Sequence, residues 1–246
     1  DRALTRDIDW GVPVPVEGYE SKRIYVWFEA VIGYLSATRA WAEQRGTPDE
    51  WKKFWTEPEG ESYYFQGKDN VSFHTIILPS ILLGNGGLNL PTDVVANEYL
   101  NIGGNEFSKS KGNAIWVPDF LSRYEADPLR YYLASIMPET SDSEFTWEGF
   151  HAANNNELVA TFGNFVHRVL TITTRNFDNA VPTPTELDDN DKAALAACDT
   201  ALEEVSTAID ARRFRDGLRA AMRLARYGNQ YIDTKEPWKV VKTDKE

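Results

Sequence analysis

Cysteine is nearly absent from this sequence, since Cys198 is the only one among 246 residues. A single thiol excludes an internal disulfide, and it excludes a zinc site built from several cysteines. We therefore expect a protein of a reducing, cytoplasmic setting.

Long apolar runs are missing as well. No stretch of eighteen apolar residues occurs, and the first residues do not form a charged segment followed by an apolar one. The sequence therefore predicts neither a membrane span nor a signal peptide, and no membrane partner.

Basic residues are in deficit, because 26 lysines and arginines stand against 38 aspartates and glutamates, for a formal net charge of −12. This balance argues against unspecific binding to nucleic acid through its phosphates, although local basic surfaces could still bind RNA. One such surface is a series of arginines spaced three or four residues apart: Arg212, Arg215, Arg219, Arg223 and Arg226. On a helix they share one side, either as a solvated face paired with nearby acids or as a site for phosphates.

What the sequence does contain is enough apolar material for a sizeable core, with 42% hydrophobic and 13% aromatic residues. Three segments have the composition of strands, namely residues 23–28, 62–66 and 93–97. Between them, residues 30–44 and 73–83 have helical periodicity. Strands that alternate with helices predict a parallel sheet, whose ligands bind beyond the carboxyl ends of its strands.

From about residue 118 onward the strand signals disappear. Four segments predict helices, namely residues 126–136, 150–174, 191–209 and 211–234. Pro182 and Pro184 mark a loop between two of these helices, because proline cannot extend a helix interior. The predicted fold class is α/β followed by all-α: a partial Rossmann-like nucleotide-binding fold with a parallel sheet, then a helical bundle. The abrupt beginning and the polar end of the sequence predict a fragment.

The segment 106–113, with the sequence Glu-Phe-Ser-Lys-Ser-Lys-Gly-Asn, is suited to phosphate chemistry. Small residues let the backbone approach an anion, and the ammonium groups of Lys109 and Lys111 neutralise charge on a pyrophosphate leaving group. Surface loops with serine and lysine are common, so this pattern gains its weight from the motifs around it.

Trp27, Tyr34 and His74 fall near predicted strand ends. Together they would line an apolar pocket with a polar tip, which suits a medium-sized uncharged side chain. The alternative is that all three are core residues. Arg6 and Asp69 form either an ordinary surface ion pair or a pair that orients the ammonium and carboxylate of a ligand.

Residues 235–238, with the sequence Lys-Glu-Pro-Trp, close a helix and present an aromatic side chain. Trp238 either packs on its own bundle as part of a helix cap or stacks on an unpaired RNA base.

Four motifs, taken in this order, resemble the methionyl-tRNA synthetases, a family of class I aminoacyl-tRNA synthetases. They are residues 6–13 (RDIDWGVP), residues 25–34 (YVWFEAVIGY), residues 67–70 (GKDN) with 73–74 (FH), and residues 107–113 (FSKSKGN). The later pattern Asn164-x-x-x-Arg168 and the Lys-Glu-Pro-Trp segment resemble the anticodon-binding domain of that family. The resemblance implies a carboxy-terminal part of the catalytic domain at 1–117, a stem-contact linker at 118–148 and a truncated helical anticodon-binding domain at 149–246.

The resemblance also implies an activity: ATP, as its Mg²⁺ complex, activates L-methionine to an adenylate, and the methionyl group passes to the terminal adenosine of a tRNA with the anticodon CAU. The implied catalytic residues are Lys109, with Ser108 and Ser110 shaping its loop. The implied methionine-binding residues are Trp27, Ala30, Val31, Tyr34, Phe73 and His74, with Asp69 supported by Arg6. The implied ATP-binding residues are Gly67, Asp69, Lys109 and Lys111, with the backbone of 97–102 along the adenine. The implied anticodon-binding residues are Asn164, Arg168, Pro237 and Trp238.

Three departures from the family pattern bear on these roles. Glu106 and Phe107 stand where lysine and methionine are common, so activity depends more heavily on Lys109. Val31 stands where many members have proline. The His-x-Gly-His signature and the connective segment that would hold zinc are absent from this sequence, which itself has no predicted metal site. We therefore expect this chain alone not to activate methionine.

Two other functions remain open at this point. One is a class I synthetase for leucine, isoleucine, valine or cysteine, which would share the lysine loop. The other is a tRNA-binding or scaffolding module without catalytic activity that descends from a synthetase.

Overall fold

The computed structural model describes residues 3–108, 112–184 and 186–243. It contains two compact units, Asp1–Glu98 and Tyr99–Glu246, which we name the amino-terminal and the carboxy-terminal unit. The functional boundaries expected after residues 117 and 148 stay a prediction.

The amino-terminal unit is built around two parallel strands, β3 (Tyr63–Gly67) and β4 (Asp93–Asn97). Along β3 the burial alternates, because Tyr64 is buried while Tyr63 and Phe65 are exposed. This is the period of two expected for a strand with one covered face. The second and third predicted strands and their parallel arrangement are confirmed.

Besides β3 and β4, this unit contains two further short strands and a series of helices and helical turns. The two strands, β1 (Thr5–Arg6) and β2 (Arg23–Ile24), pair in antiparallel fashion. Its helices and helical turns are α1 (Val26–Glu29), a 3₁₀ turn (Ala30–Ile32), α2 (Gly33–Gln44), α3 (Lys52–Trp55), a 3₁₀ turn (Lys68–Asn70), a π-helical turn (Phe73–Ile77) and α4 (Leu78–Asn85).

The prediction of a strand over residues 23–28 was wrong beyond Ile24, because α1 begins at Val26. Tyr25 still donates its backbone N–H to the carbonyl oxygen of Leu4 at 2.8 Å, but the N–H groups of Phe28 and Glu29 turn back to the carbonyl oxygen of Tyr25. A helix satisfies those groups internally. As a result, Trp27 and Tyr34 belong to one helical run and lie seven residues, or about two turns, apart on one side of it.

The core of the amino-terminal unit forms where this helical run meets β3 and α4. Five buried residues make up the cluster: Val31, Trp55, Tyr64, Leu78 and Leu82. Phe73 and Val94 pack against it from the π-helical turn and from β4. The core thereby holds the ends of β3 and of α4 in fixed positions.

The carboxy-terminal unit begins with a small sheet in which β5 (Leu100–Ile102) lies between β6 (Asn105–Glu106) and β7 (Ser143–Phe145). Strand β7 corrects the expectation that strands end before residue 118. It is only three residues long, too short for a recognisable alternation, and it forms because β5 offers an open edge for parallel pairing.

The rest of this unit is helical, as predicted. The helices are α5 (Val117–Leu121), α6 (Ala126–Ser135), α7 (Trp147–Ala152), a π-helical stretch (Ala153–Gly163), α8 (Asn164–Asn176), α9 (Asp189–Asp210), α10 (Phe214–Lys235) and α11 (Pro237–Thr243). The predicted fold class, an α/β part with a parallel sheet followed by a helical part, is confirmed.

Two of the arginines of α10 are paired with neighbouring acids. Arg219 lies 3.3 Å from Asp216, and Arg223 lies 2.5 Å from Glu204. These contacts favour the reading of the arginine series as a solvated, paired face over the reading as a phosphate site.

Gly228 of α10 permits a close approach of α8. A Cβ atom at this position would lie 2.5 Å from Cε2 of Phe165, closer than carbon atoms pack. Overpacking costs about 1–3 kcal/mol, of which the higher helix propensity of alanine offsets about 1 kcal/mol. We therefore expect Gly228→Ala to lower the midpoint of thermal unfolding.

The matched control for this prediction is Gly217→Ala in the same helix, where the nearest atom to a new Cβ lies at 3.6 Å. This variant is expected to unfold at the same or a higher temperature. Equal midpoints for the two variants would contradict the packing argument.

Candidate functional site

A tyrosine–histidine pair joins α2 to the π-helical turn in the amino-terminal unit. Tyr34 Oη and His74 Nε2 are 2.8 Å apart, and His74 Nδ1 is 3.0 Å from the carbonyl oxygen of Asn70. Because a carbonyl oxygen only accepts, Nδ1 donates to Asn70, and in the neutral ring Nε2 accepts from the Tyr34 hydroxyl. His74 is 6% exposed, so the strand-end turn and the tyrosine together fix a buried imidazole.

Aromatic rings surround this pair. Tyr64 meets Tyr34 edge to face, with ring centroids 5.0 Å apart, and its ring centroid lies 5.5 Å from that of His74. Burial raises the pKa of the Tyr64 hydroxyl, so Tyr64 stays neutral. The sequence reasoning missed Tyr64, although the alternation of strand β3 already placed it on the inner face.

The residues predicted to bind methionine differ in their exposure and in the side chains that they contact. Trp27 lies with its ring centroid 6.3 Å from that of Phe73, and it is 55% exposed. Val31 is part of the core, whereas Ala30 on the same helical run is exposed. The structure thus brings Tyr34 together with His74, and Trp27 with Phe73. The methionine-binding role of these residues stays a prediction.

Two of the predicted nucleotide-contacting residues lie at the carboxyl end of strand β3. Gly67 is the last residue of β3, and Asp69 lies in the 3₁₀ turn that follows, exposed to solvent. Arg6 donates from Nη1 to the carbonyl oxygens of Ala3 and Thr5, and its guanidinium lies 3.7 Å from the ring centroid of Tyr25. The expected support of Asp69 by Arg6 stays a prediction.

The lysine loop is described only at its base, since Lys109, Ser110 and Lys111 lie outside the described residues. Ser108 and Asn113 close the loop through two backbone hydrogen bonds of 2.8 and 3.0 Å. The Asn113 side chain donates to the carbonyl oxygens of Ile102 and Glu106, at 3.2 and 3.1 Å. Asn113 thereby joins the loop to strands β5 and β6, a contact that the sequence motif did not indicate.

The predicted anticodon-binding residues come together at the junction of α8, α10 and α11. Asn164 Nδ2 donates to Oδ1 of Asn229 at 3.0 Å, and Arg168 forms a 2.5 Å ion pair with Asp233. The guanidinium of Arg168 lies 5.3 Å from the ring centroid of Trp238, which is 36% exposed. Asn164 and Arg168 are one helical turn apart, so they share one side of α8. Pro237 begins α11, and this start sets the direction of Trp238.

An ionic clasp holds the segment that precedes Trp238. Lys235 Nζ lies 2.7 Å from Asp191 and 3.0 Å from Asp188, and the Tyr231 hydroxyl donates to Asp191 at 2.6 Å. Hydrogen bonds from Lys235 and then Tyr231 hold the pKa of Asp191 far below its usual range. Burial first, and then the hydrogen bond to Asp191, raise the pKa of Tyr231 to about 12. The end of α10 is therefore attached to the start of α9.

The described residues contain neither a cluster of metal-binding side chains nor a helix that could span a membrane. Within residues 3–108, 112–184 and 186–243, three or more histidine, cysteine, aspartate or glutamate side chains nowhere form a group that could hold a metal ion. None of the helices in the same ranges is both long and apolar enough to cross a bilayer.

Family comparisons cover the chain in two parts. Residues 1–170 match the model of "tRNA synthetases class I (M)", and residues 181–246 match "Anticodon binding domain of methionyl tRNA ligase". The methionine–tRNA ligase of Dehalococcoides mccartyi is 55% identical over 245 residues, covering 100% of this chain and 44% of that protein. The methionine–tRNA ligase of Thermomicrobium roseum is 50% identical over 245 residues, covering 99% of this chain and 42% of that protein.

Solved structures of methionyl-tRNA synthetase are similar to this chain. Methionyl-tRNA synthetase of Mycobacterium tuberculosis bound by methionyl-adenylate superimposes with a TM-score of 0.83 at 26% identity, covering 98% of this chain and 46% of that one. The apo form of the same enzyme gives a TM-score of 0.80. The chain spans less than half the length of the relatives that it matches. Residues 1–170 match the class I family model, and the whole chain aligns with methionine–tRNA ligases. The chain therefore belongs to the class I methionyl-tRNA synthetase family.

Proposed function

We propose that this chain acts as part of a cytoplasmic methionine–tRNA ligase. L-Methionine, ATP with Mg²⁺, and a tRNA with the anticodon CAU are its substrates, and AMP and pyrophosphate are the products. The hydrogen-bonded pair of Tyr34 and His74 among aromatic rings carries the proposal, because it offers an apolar surface with one fixed polar group.

This arrangement suits a thioether side chain. Aromatic rings attract a polarizable sulfur, and each such contact contributes about 0.3–1.5 kcal/mol. Trp27 and Tyr34 are exposed enough to contact a ligand, while His74 is fixed by its hydrogen bond to the carbonyl oxygen of Asn70. A wall that is fixed before binding loses little freedom when methionine enters.

The chemistry assigned to the chain has two steps. In the first, a carboxylate oxygen of methionine attacks the α-phosphorus of ATP, and the bond to the bridging oxygen breaks as pyrophosphate leaves. Asp69 and Gly67 contact the substrates, and Lys109 with Lys111 stabilises the growing charge on the pyrophosphate. Ser108 and Ser110 shape the loop. In the second step, a hydroxyl of the terminal adenosine attacks the carbonyl carbon, and AMP leaves.

The carboxy-terminal unit supplies the proposed anticodon contacts. Trp238 stacks on an anticodon base, and Arg168 lies beside it, held by Asp233. Pro237 and the Lys235 clasp restrict the Trp238 segment, which lowers the entropy lost when RNA binds. Under this proposal, residues 1–117 belong to the catalytic domain, 118–148 contact the stem of the tRNA, and 149–246 read the anticodon.

Amino-acid-dependent ATP–pyrophosphate exchange by the full-length gene product tests the proposal. Methionine should support exchange, and leucine, isoleucine, valine and cysteine should support far less, since one methylene changes binding by about 1–3 kcal/mol. Exchange with one of these four amino acids alone would identify a sister synthetase. Binding of tRNA without exchange with any amino acid would identify a binding module.

The Tyr34 hydroxyl gives this proposal a residue-level prediction. Tyr34→Phe leaves Nε2 of a buried histidine without its partner, and such a loss costs about 1–3 kcal/mol. We therefore expect the KM for methionine in pyrophosphate exchange to rise about tenfold.

Tyr63→Phe is the matched control, because the Tyr63 hydroxyl donates to Glu61 on the exposed face of β3. Its KM for methionine is expected to match that of the unmodified protein. A Tyr34→Phe protein with unchanged KM would remove Tyr34 from the methionine pocket.

A further inference from the structure

The carboxy-terminal unit contains an open cleft of about 540 Å³, lined largely from the segment 118–148 to which no individual residue role was assigned above. Its volume falls in the range of about 300–1,000 Å³ that small-ligand sites occupy. Its lining combines aromatic side chains with one acidic and two basic ones: Trp116, Asp119, Arg123, Tyr124, Trp147 and His151.

The aromatic side chains form a floor and a rim. Phe120, at 3% exposure, is the floor, and Trp147 lies nearly parallel to it, with ring centroids 6.0 Å apart and an interplanar angle of 10°. Tyr124 and Trp147 are both partly exposed, and their ring centroids are 6.1 Å apart. Packing on Phe120 thus holds Trp147 in place while leaving part of the indole accessible to a flat ligand.

The charged side chains Asp119 and Arg123 of the cleft are not neutralised by each other. Arg123 is exposed and forms no ion pair within the described residues, unlike Arg219 and Arg223 of α10. His151 adds a second basic group. Asp119 also forms no ion pair with any residue that the structure describes. In a chain of net charge −12, an unpaired guanidinium beside exposed aromatic rings suits a ligand that is both flat and anionic.

We propose that this cleft binds one unpaired nucleotide of the tRNA. The base stacks on Trp147 and Tyr124, its phosphate meets Arg123 and His151, and the Asp119 carboxylate accepts a hydrogen bond from a base N–H group. Single-stranded nucleotides are recognised by this combination of aromatic faces and cations. The inference rests on tRNA as the proposed substrate, and it differs from contact with a stem, whose stacked bases cannot enter an aromatic cleft.

Binding of labelled tRNA to this chain over a series of salt concentrations tests the inference. Base stacking on an aromatic side chain contributes enough that Trp147→Leu should raise the Kd about tenfold. Arg123→Gln should raise the Kd about threefold and lower the salt dependence by about one phosphate contact. Arg130→Gln is the matched control, because Arg130 is an exposed arginine of the same unit paired with Asp127.

Ultraviolet crosslinking gives a second readout that needs no variant. Mass spectrometry of the digested adduct should place a crosslinked nucleotide on Tyr124 or Trp147. Since Trp147 also packs on Phe145 and Phe150, Arg123→Gln and the crosslink decide the outcome if Trp147→Leu unfolds.

The outcomes separate this inference from the proposed function. Unchanged affinity in Arg123→Gln, with no crosslink in residues 114–151 and binding that still depends on Trp238, would overturn the cleft and leave the proposed function intact. A failure of the unmodified chain to bind tRNA at all would count against both.

Discussion

Methionine-dependent ATP–pyrophosphate exchange is expected to fall by about 10²- to 10³-fold when Lys109 is replaced with alanine, the loss typical of removing one preorganised group that stabilises transition-state charge. Glu106 occupies the loop position where a second lysine is common in the family, so the chain has less positive charge with which to compensate. The change should appear in the rate of exchange at saturating methionine and ATP, measured on the full-length gene product.

A substitution at the base of the loop should reduce exchange less than the loss of Lys109 itself. Asn113→Ala removes the two side-chain hydrogen bonds to Ile102 and Glu106 but leaves Lys109 itself unchanged. We expect a loss of about tenfold, because a catalytic group that is less well placed loses part of its effect. Lys52→Ala, on an exposed lysine paired with Asp49, should leave exchange unchanged. A Lys109→Ala protein with more than half of the normal exchange rate would remove this loop from the mechanism.

Trp238→Ala is expected to weaken the binding of a CAU anticodon stem-loop about 10- to 100-fold, because stacking of one base on an aromatic ring contributes about 1–3 kcal/mol. Affinity for a stem-loop with a scrambled anticodon should change much less. The measurement is equilibrium binding of both stem-loops to this chain, with and without the substitution.

Trp238→Phe is the matched control for this prediction, since phenylalanine retains an aromatic face beside Arg168. It should keep most of the preference for CAU. Methionine-dependent exchange by the full-length gene product should be unaffected by either substitution, which separates RNA recognition from catalysis. If both stem-loops bound equally well to the unmodified chain, Trp238 would instead be a packing residue of the bundle.

Several elements of the fold could be read from the sequence because their signals are local. Strands β3 and β4 follow from β-branched and aromatic runs bounded by glycine and proline, and α9 and α10 from long helical periodicities. The helix after residue 25 could not be read in this way. Val26, Trp27 and Phe28 favour a strand by composition, whereas in the structure the N–H groups of Phe28 and Glu29 bond back to the carbonyl oxygen of Tyr25.

The same difference between local signals and tertiary contacts applies to the residues of the candidate sites. Motif residues such as His74, Arg168 and Trp238 were identified from the sequence, because their chemistry and order are visible there. The partners Tyr64 of His74 and Asp233 of Arg168 were not identified, and neither was Asp191, which pairs with Lys235, because each is brought into place by packing between elements distant in the chain.

By itself, the sequence determined strands β3 and β4, the long helices of the second half, the chemical character of the lysine loop and the family to which the motifs point. Tertiary structure alone decided that Tyr34 and His74 are hydrogen-bonded, that Asn113 fixes the base of the loop, and that Arg168 is held between Asp233 and Trp238. The physical reason is that a hydrogen bond or an ion pair depends on distances of about 3 Å between groups that folding brings together, and residue spacing along a chain does not specify such distances.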